Sequence, residues 1–207
     1  MAADERLFAP QIAAFPNMRV VAWIPPQKHE SLPDYAARLA RSVDPDEPCI
    51  VGGASFGGAV ALEMATHLQS RGCILIGGLR STSGIPWRWR IFRFLVTFGP
   101  DVLQRMALVG ARLGRPLVSR GTIRRLERLS RPESGFARWA MCAILTWRPS
   151  PATRQIRIIQ IHGSADRVLP CCLASADEVV PGGPHALTLF RSNEVNAFIE
   201  RSIRAIS

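Results

Sequence analysis

A serine flanked by small residues is the feature of this sequence with the clearest chemical meaning. Gly53-Ala-Ser-Phe-Gly57 is a G-x-S-x-G pattern between an apolar segment at 48–53 and a helix-forming segment at 59–69. A serine at such a sharp strand-to-helix turn adopts a strained backbone angle, which excludes bulky side chains two positions before and after it. The pattern therefore predicts that Ser55 is a nucleophile.

The surroundings of this serine predict where negative charge would be stabilised. Unpaired N–H groups and the helix dipole at a helix N-terminus favour a developing anion, so the N–H of Phe56 is expected to face an oxyanion. The alternative is a glycine-rich turn that only packs or cradles a phosphate. That alternative is disfavoured because the sequence lacks the Lys-Ser/Thr ending of a P-loop.

Two polar residues in later loops are suitable partners for the serine. Asp166 follows an isoleucine-rich segment at 156–161 that is typical of a strand, and a loop carboxylate after a strand can point toward the carboxyl edge of a sheet. His185 follows a Pro-Gly-Gly-Pro turn that can hold an imidazole over the serine. The alternatives are His29 as the base and a loop-capping role for Asp166, while His162 is interpreted as structural. We expect Ser55, Asp166 and His185 to be catalytic.

The elements that must position these residues alternate along the chain. Short apolar, β-branched runs are typical of strands buried in a parallel sheet, and the segments between them have helical periodicity. The predicted strands are 19–24, 48–53, 73–77, 156–161 and 177–180, and the predicted helices outside the insertion are 31–41, 59–69 and 193–206. This alternation predicts an α/β fold with a mostly parallel sheet covered by helices.

The alternation of predicted strands and helices stops for about seventy residues after the strand at 73–77. This segment holds four of the five tryptophans and most of the arginine. We expect a helical cap at about 84–154, inserted into one domain that spans residues 1–207. Within it, short helices are predicted at 87–98, 102–113, 122–129 and 136–147, separated by Gly and Pro.

The order Ser55, Asp166, His185 and the G-x-S-x-G turn resemble the α/β-hydrolase superfamily over almost the whole chain. The resemblance implies a lid at the position of the cap. It also implies one more strand, which lies in the sheet between the strands at 19–24 and 48–53. This sequence does not contain that strand, so the fold is expected to be N-terminally incomplete. In that case the backbone N–H of Met1 or Ala2 would be the second donor of the oxyanion hole.

The resemblance and the site residues predict acyl chemistry. His185 would take the Ser55 proton as the hydroxyl attacks an ester or thioester carbonyl, Asp166 would hold the imidazole, and water would release the acyl group. No cofactor and no metal are expected. Two alternatives stay open: a catalytically silent binding protein of the same fold, and an acyltransferase that uses the same three residues.

Composition limits the remaining function classes. With 207 residues and 47% apolar composition, the chain can bury a sizeable core. It contains no uncharged apolar stretch of membrane-spanning length, and we expect no export signal. Five cysteines form neither a Cys-x-x-Cys pair nor an even disulfide framework, and they are interpreted as structural. A cytoplasmic location is predicted.

The net charge of +10 is concentrated in one segment. Residues 80–157 hold 16 arginines against 3 acidic residues. No nucleic-acid motif accompanies this charge, so we predict a small acyl ester or thioester as the ligand and no nucleic-acid partner. The interleaved Arg and Trp of 87–94 could dock on a membrane surface or an acyl carrier, although a role in lining the acyl pocket is the stronger interpretation.

Overall fold

The computed structural model describes residues 5–86 and 134–206, and these ranges form one sheet with helices on its two faces. The four strands are β1 (Cys49–Ala54), β2 (Ser70–Ile76), β3 (Ile158–Gly163) and β4 (Glu178–Val180). They lie in the order β1-β2-β3-β4, and every pair is parallel. The carboxyl ends of all four strands therefore lie at one edge of the sheet.

Six α-helices accompany these strands in the described part of the chain. They are α1 (Ala9–Ala14), α2 (Leu32–Val43), α3 (Phe56–Met64), α4 (Ser134–Thr146), α5 (Leu187–Phe190) and α6 (Ser192–Ile206). Short 3₁₀ turns occur at Glu5–Phe8, Thr82–Gly84, Pro151–Gln155 and Cys171–Leu173. Helix α2 begins after Ser31, whose Oγ accepts the N–H of Asp34, so Ser31 caps the helix.

Strand β2 shows how the sheet separates two hydrophobic clusters. Side chains alternate along a strand, and Cys73 and Leu75 pack into the cluster formed with α2, α3 and α4. Ile74 and Ile76 pack into the opposite cluster with α6. Burial on both faces explains why β2 is an uninterrupted apolar run from position 73 to 76.

The α/β fold with a parallel, helix-covered sheet is confirmed, whereas the predicted strand at 19–24 is wrong. No strand is assigned there, and a groove of about 620 Å³ lies between this segment and β1. The backbone N–H and carbonyl of Ile24 bond instead to the hydroxyl of Tyr35, at 3.2 and 3.0 Å. A β-branched run makes a strand only where a neighbour can pair with it, and the groove separates this run from its nearest strand.

Within the predicted cap, the structure describes one of the four expected helices. Helix α4 covers the prediction at 136–147 to within two residues. The helices expected at 87–98, 102–113 and 122–129 lie outside the described residues, as does the Arg/Trp segment 87–94.

The pairing of β1 determines which of its amide groups face the groove. Cys49 N–H and Ser55 N–H both bond to carbonyls on the β2 side, those of Gln69 and Ile76. Since the direction of main-chain groups alternates along a strand, odd-numbered positions of β1 face β2 and even-numbered positions face the groove.

This alternation makes a prediction for amide hydrogen exchange, measured by two-dimensional NMR. The amides of Val51 and Gly53 are expected to exchange at least about tenfold more slowly than those of Ile50 and Gly52, because only the former pair bonds to β2. Equal protection of all four amides would mean that the groove side of β1 is also hydrogen-bonded, contrary to this structure.

Candidate active site

Ser55 lies where β1 ends and α3 begins, and its backbone has the strained geometry expected for a nucleophile at such a turn. Its φ is +52°, which L-residues rarely adopt. A Cβ at position 53 would lie 2.2 Å from the carbonyl oxygen of Gly57, so no side chain fits there. A Cβ at position 57 would meet only Trp23, at 3.8 Å. The steric requirement predicted for both positions therefore holds at Gly53 alone.

The other two predicted residues come from loops at the same edge of the sheet. Asp166 follows β3, in a turn where its own N–H bonds to the carbonyl of Gly163. His185 follows β4, and the loop that carries it is tied to the Asp166 turn. The N–H of Ala165 donates to the carbonyl of Gly183, and the N–H of Gly182 donates to the Ser164 hydroxyl.

The three side chains form a continuous hydrogen-bonded chain. His185 Nδ1 lies 2.7 Å from Asp166 Oδ2, and His185 Nε2 lies 2.8 Å from Ser55 Oγ. An ionised carboxylate can only accept, so Nδ1 carries the proton of the neutral ring and Nε2 accepts from the hydroxyl. The structure thus brings together the residues at positions 55, 166 and 185. The arrangement can remove a proton from the serine hydroxyl.

The carboxylate of Asp166 is buried and fully bonded. Oδ1 accepts the backbone N–H groups of Val168 and Leu169 at 2.8 and 2.9 Å, while Oδ2 faces the two imidazoles of His185 and His162. Burial alone would raise the pKa of Asp166, but the bonds from the two histidines and from the Leu169 backbone outweigh it. They hold this pKa well below its usual value of 3.8.

His162 is the residue whose place in the site the sequence did not reveal. Its side chain is completely buried, and its Nε2 lies 2.8 Å from the carbonyl of Leu169 and 3.2 Å from Asp166 Oδ2. Burial lowers the pKa of His162, yet the adjacent Asp166 and the Leu169 carbonyl outweigh this effect and raise it. Its spacing of four residues from Asp166 in the Ile-His-Gly-x-x-Asp run is the signal that could have indicated the contact.

The N–H group expected to face an oxyanion belongs to Phe56. Phe56 is the first residue of α3, so its N–H has no acceptor within the helix and is free to face an anion at the Ser55 hydroxyl. Met1 and Ala2, the residues expected to provide a second donor, lie outside the described residues.

An aromatic cluster lies beside the serine turn. It joins Phe56 to residues of α2, of α4 and of the segment before α2, and ring centroids of adjacent members are 4.4 to 6.4 Å apart. Its members are Trp23, Tyr35, Phe56, Phe136 and Trp139. Through it, helix α4 contacts the residue that follows Ser55.

Neither a metal cluster nor a membrane-spanning helix occurs within residues 5–86 and 134–206. No group of three His, Cys, Asp or Glu side chains in these ranges is arranged to hold a metal ion. None of the helices described there is long and apolar enough to cross a bilayer. All five cysteines are free thiols.

Comparison with known proteins identifies the class. Residues 7–198 match the alpha/beta hydrolase family, and the chain therefore belongs to that family. A comparison with curated proteins found no match.

Solved structures with a similar fold have low sequence identity to this chain. A thermophilic esterase from Thermogutta terrifontis is 17% identical, with a TM-score of 0.61, and the match covers 99% of this chain and 86% of that one. A meta-cleavage product hydrolase from Pseudomonas fluorescens is 16% identical, with a TM-score of 0.56 over 98% and 86%. An epoxide hydrolase from hot-environment metagenomes is 16% identical, with a TM-score of 0.58 over 95% and 86%. At these identities the structural similarity supports the fold of this chain and nothing about its activity.

Gly77 directly follows β2 and lies against His185 and Asp166, so replacing it should disturb both residues. Its φ is +55°, and a Cβ there would lie 3.3 Å from the carbonyl oxygen of His185. We expect Gly77→Ala to lower the free energy of unfolding by about 1–2 kcal/mol, measured by urea denaturation, because the left-handed backbone is strained for alanine. Gly135→Ala, in open space on α4, is the matched control and should be neutral or slightly stabilising. Equal effects of the two substitutions would contradict this packing.

The two shifted pKa values predict how the contribution of Asp166 to stability depends on pH. The lowered pKa of Asp166 gives stability that is present above its usual value of 3.8 and is lost as the pH falls through the folded-state pKa. The raised pKa of His162 gives stability that is present below its usual value of 6.5 and is lost as the pH rises through the folded-state pKa.

Asp166→Asn should therefore lower the free energy of unfolding most between about pH 4 and pH 6.5, where both contributions operate. Urea unfolding of wild type and variant at several pH values measures the difference. A difference that does not change between pH 3 and pH 8 would show that the charge of Asp166 is not responsible for it.

Proposed function

We propose that this protein is a serine hydrolase that cleaves a carboxylic ester or thioester through an acyl-enzyme on Ser55. The observation that carries the proposal is the unbroken chain from the Ser55 hydroxyl through His185 to the buried Asp166 carboxylate, with bonds of 2.8 and 2.7 Å. Membership in the alpha/beta hydrolase family is consistent with this chemistry.

In this proposal each residue has a defined step. His185 Nε2 accepts the Ser55 proton as Oγ attacks the carbonyl carbon, and the resulting oxyanion faces the N–H of Phe56 at the start of α3. The imidazolium then gives its proton to the leaving alcohol or thiol. A water molecule, activated by the same imidazole, cleaves the acyl-enzyme and returns Ser55 to its free form.

The role of Asp166 follows from its bonding. Two backbone N–H groups fix Oδ1, so Oδ2 is held toward His185 Nδ1, and the ring keeps the tautomer that can accept the serine proton. Because its pKa is lowered, the carboxylate is ionised at neutral pH and stabilises the imidazolium that forms during the attack.

Labelling with a fluorophosphonate probe tests the nucleophile. Wild type is expected to be labelled covalently, and Ser55→Ala should not be labelled and should lose about a thousandfold or more of its turnover of p-nitrophenyl esters. Ser42→Ala is the matched control, since its hydroxyl bonds to the carbonyl of Leu39 within α2, and it should behave as wild type.

Two outcomes would count against the proposal. Folded wild-type protein that resists the probe would favour a binding protein of the same fold. Labelling that persists in Ser55→Ala would place the reactive nucleophile elsewhere.

If the enzyme is active, a series of p-nitrophenyl esters of increasing chain length would define its preferred acyl group.

A further inference from the structure

A buried polar network extends from the candidate active site to the surface through β3. Asp177 Oδ2 accepts from the backbone N–H of Gln160 at 2.7 Å and from Arg80 at 2.5 Å. Arg80 Nε donates to Gln160 Oε1 at 3.0 Å, and Gln160 Nε2 lies 3.5 Å from His162 Nδ1. The network therefore ends at the imidazole of His162, which contacts Asp166.

The orientation of the Gln160 amide defines the proton position on the neutral ring of His162. Because Arg80 can only donate, the oxygen of the amide must face Arg80, and its NH₂ group then faces Nδ1 of His162 and the carbonyl of Gly78. Nδ1 consequently acts as an acceptor, and the proton lies on Nε2. That N–H points to the Leu169 carbonyl and lies against Asp166 Oδ2.

This position gives the buried imidazole two effects on the site. It fixes the turn at 166–169, because Leu169 receives the Nε2–H on its carbonyl while its own N–H donates to Asp166 Oδ1. It also brings the positive end of an N–H bond to the oxygen that accepts from His185, which withdraws negative charge from that oxygen.

We propose that His162 is a positioning residue for the Asp166–His185 pair, setting both the orientation of the carboxylate and the proton affinity of the base. This inference rests on the proposed function, since it assigns to His162 an effect on the base of that reaction. Substrate does not contact His162, whose side chain is completely buried.

Replacing the imidazole by an apolar side chain should change both effects. In His162→Leu we expect kcat for p-nitrophenyl butyrate to fall about tenfold to a hundredfold with little change in KM, because the loosened carboxylate no longer aligns the base. The acidic limb of the plot of kcat/KM against pH should move to higher pH by about half a pH unit, because the more negative carboxylate favours the protonated form of the base.

Conservative variants separate this role from simple packing. His162→Gln places an amide N–H near the position of Nε2 and should restore kcat and the pH limb to nearly wild-type values. His162→Asn is too short to reach the Leu169 carbonyl and should resemble His162→Leu. Ile199→Ala, on the buried face of α6, is the stability control, and it should destabilise the protein without moving the pH limb.

A readout that needs no turnover keeps the inference separate from the proposed function. The Nδ1–H of His185 should give a downfield proton NMR signal in wild type and in His162→Gln, and the signal should weaken or shift in His162→Asn. If wild type has no esterase activity and no probe labelling, the proposed function fails, and this NMR comparison still tests the positioning.

The inference is overturned if His162→Leu folds and leaves both the pH limb and the NMR signal unchanged. If His162→Leu does not fold, the Gln and Asn variants decide the question. Identical pH limbs and NMR signals in these two variants would also overturn it.

Discussion

The buried carboxylate of Asp166 is the group around which the carboxyl edge of the sheet is organised. An ion removed from water is costly unless donors surround it, and here two backbone N–H groups and two imidazoles do so. Each donor comes from an element whose position the sheet determines: the turn after β3, the end of β3 itself and the loop after β4. The same bonds that compensate for desolvation also aim His185 at the serine, so stability and alignment have one physical origin.

The sequence predicts correctly the elements that the sheet buries on both faces. β2 is an apolar run from position 73 to 76 because both faces are covered, and the turn at Ser55 is recognisable because only a residue without a side chain fits at Gly53. The run at 19–24 has the same composition, and its failure to form a strand was not readable from it. Strand formation depends on a partner strand at hydrogen-bonding distance. That distance depends on how the chain packs in three dimensions and not on the residues at 19–24.

The three residues of the site differ in how the sequence revealed them. Ser55 was identified by local sterics, whereas Asp166 and His185 could only be ranked by their positions after predicted strands. The sequence favours a structural role for His162 because a histidine at the end of a strand is usually part of the core, and its spacing of four residues from Asp166 is the one local sign of their contact. The spacing does not by itself define the contact, which depends on how the turn at 166–169 folds back over the end of β3.

Strand β1, which leads into Ser55, is supported unequally on its two sides. Toward β2, the N–H of Ser55 bonds to the carbonyl of Ile76, and Gly77 brings the end of that strand beneath the histidine loop. Toward the groove, contact is made by Trp23, which packs on Phe56 with ring centroids 5.8 Å apart. Directional hydrogen bonds define the position of a backbone more sharply than apolar contacts do. The alignment of Ser55 with His185 is therefore set from the β2 side, while the groove side acts on Phe56, the residue whose N–H would face an oxyanion in the proposed reaction.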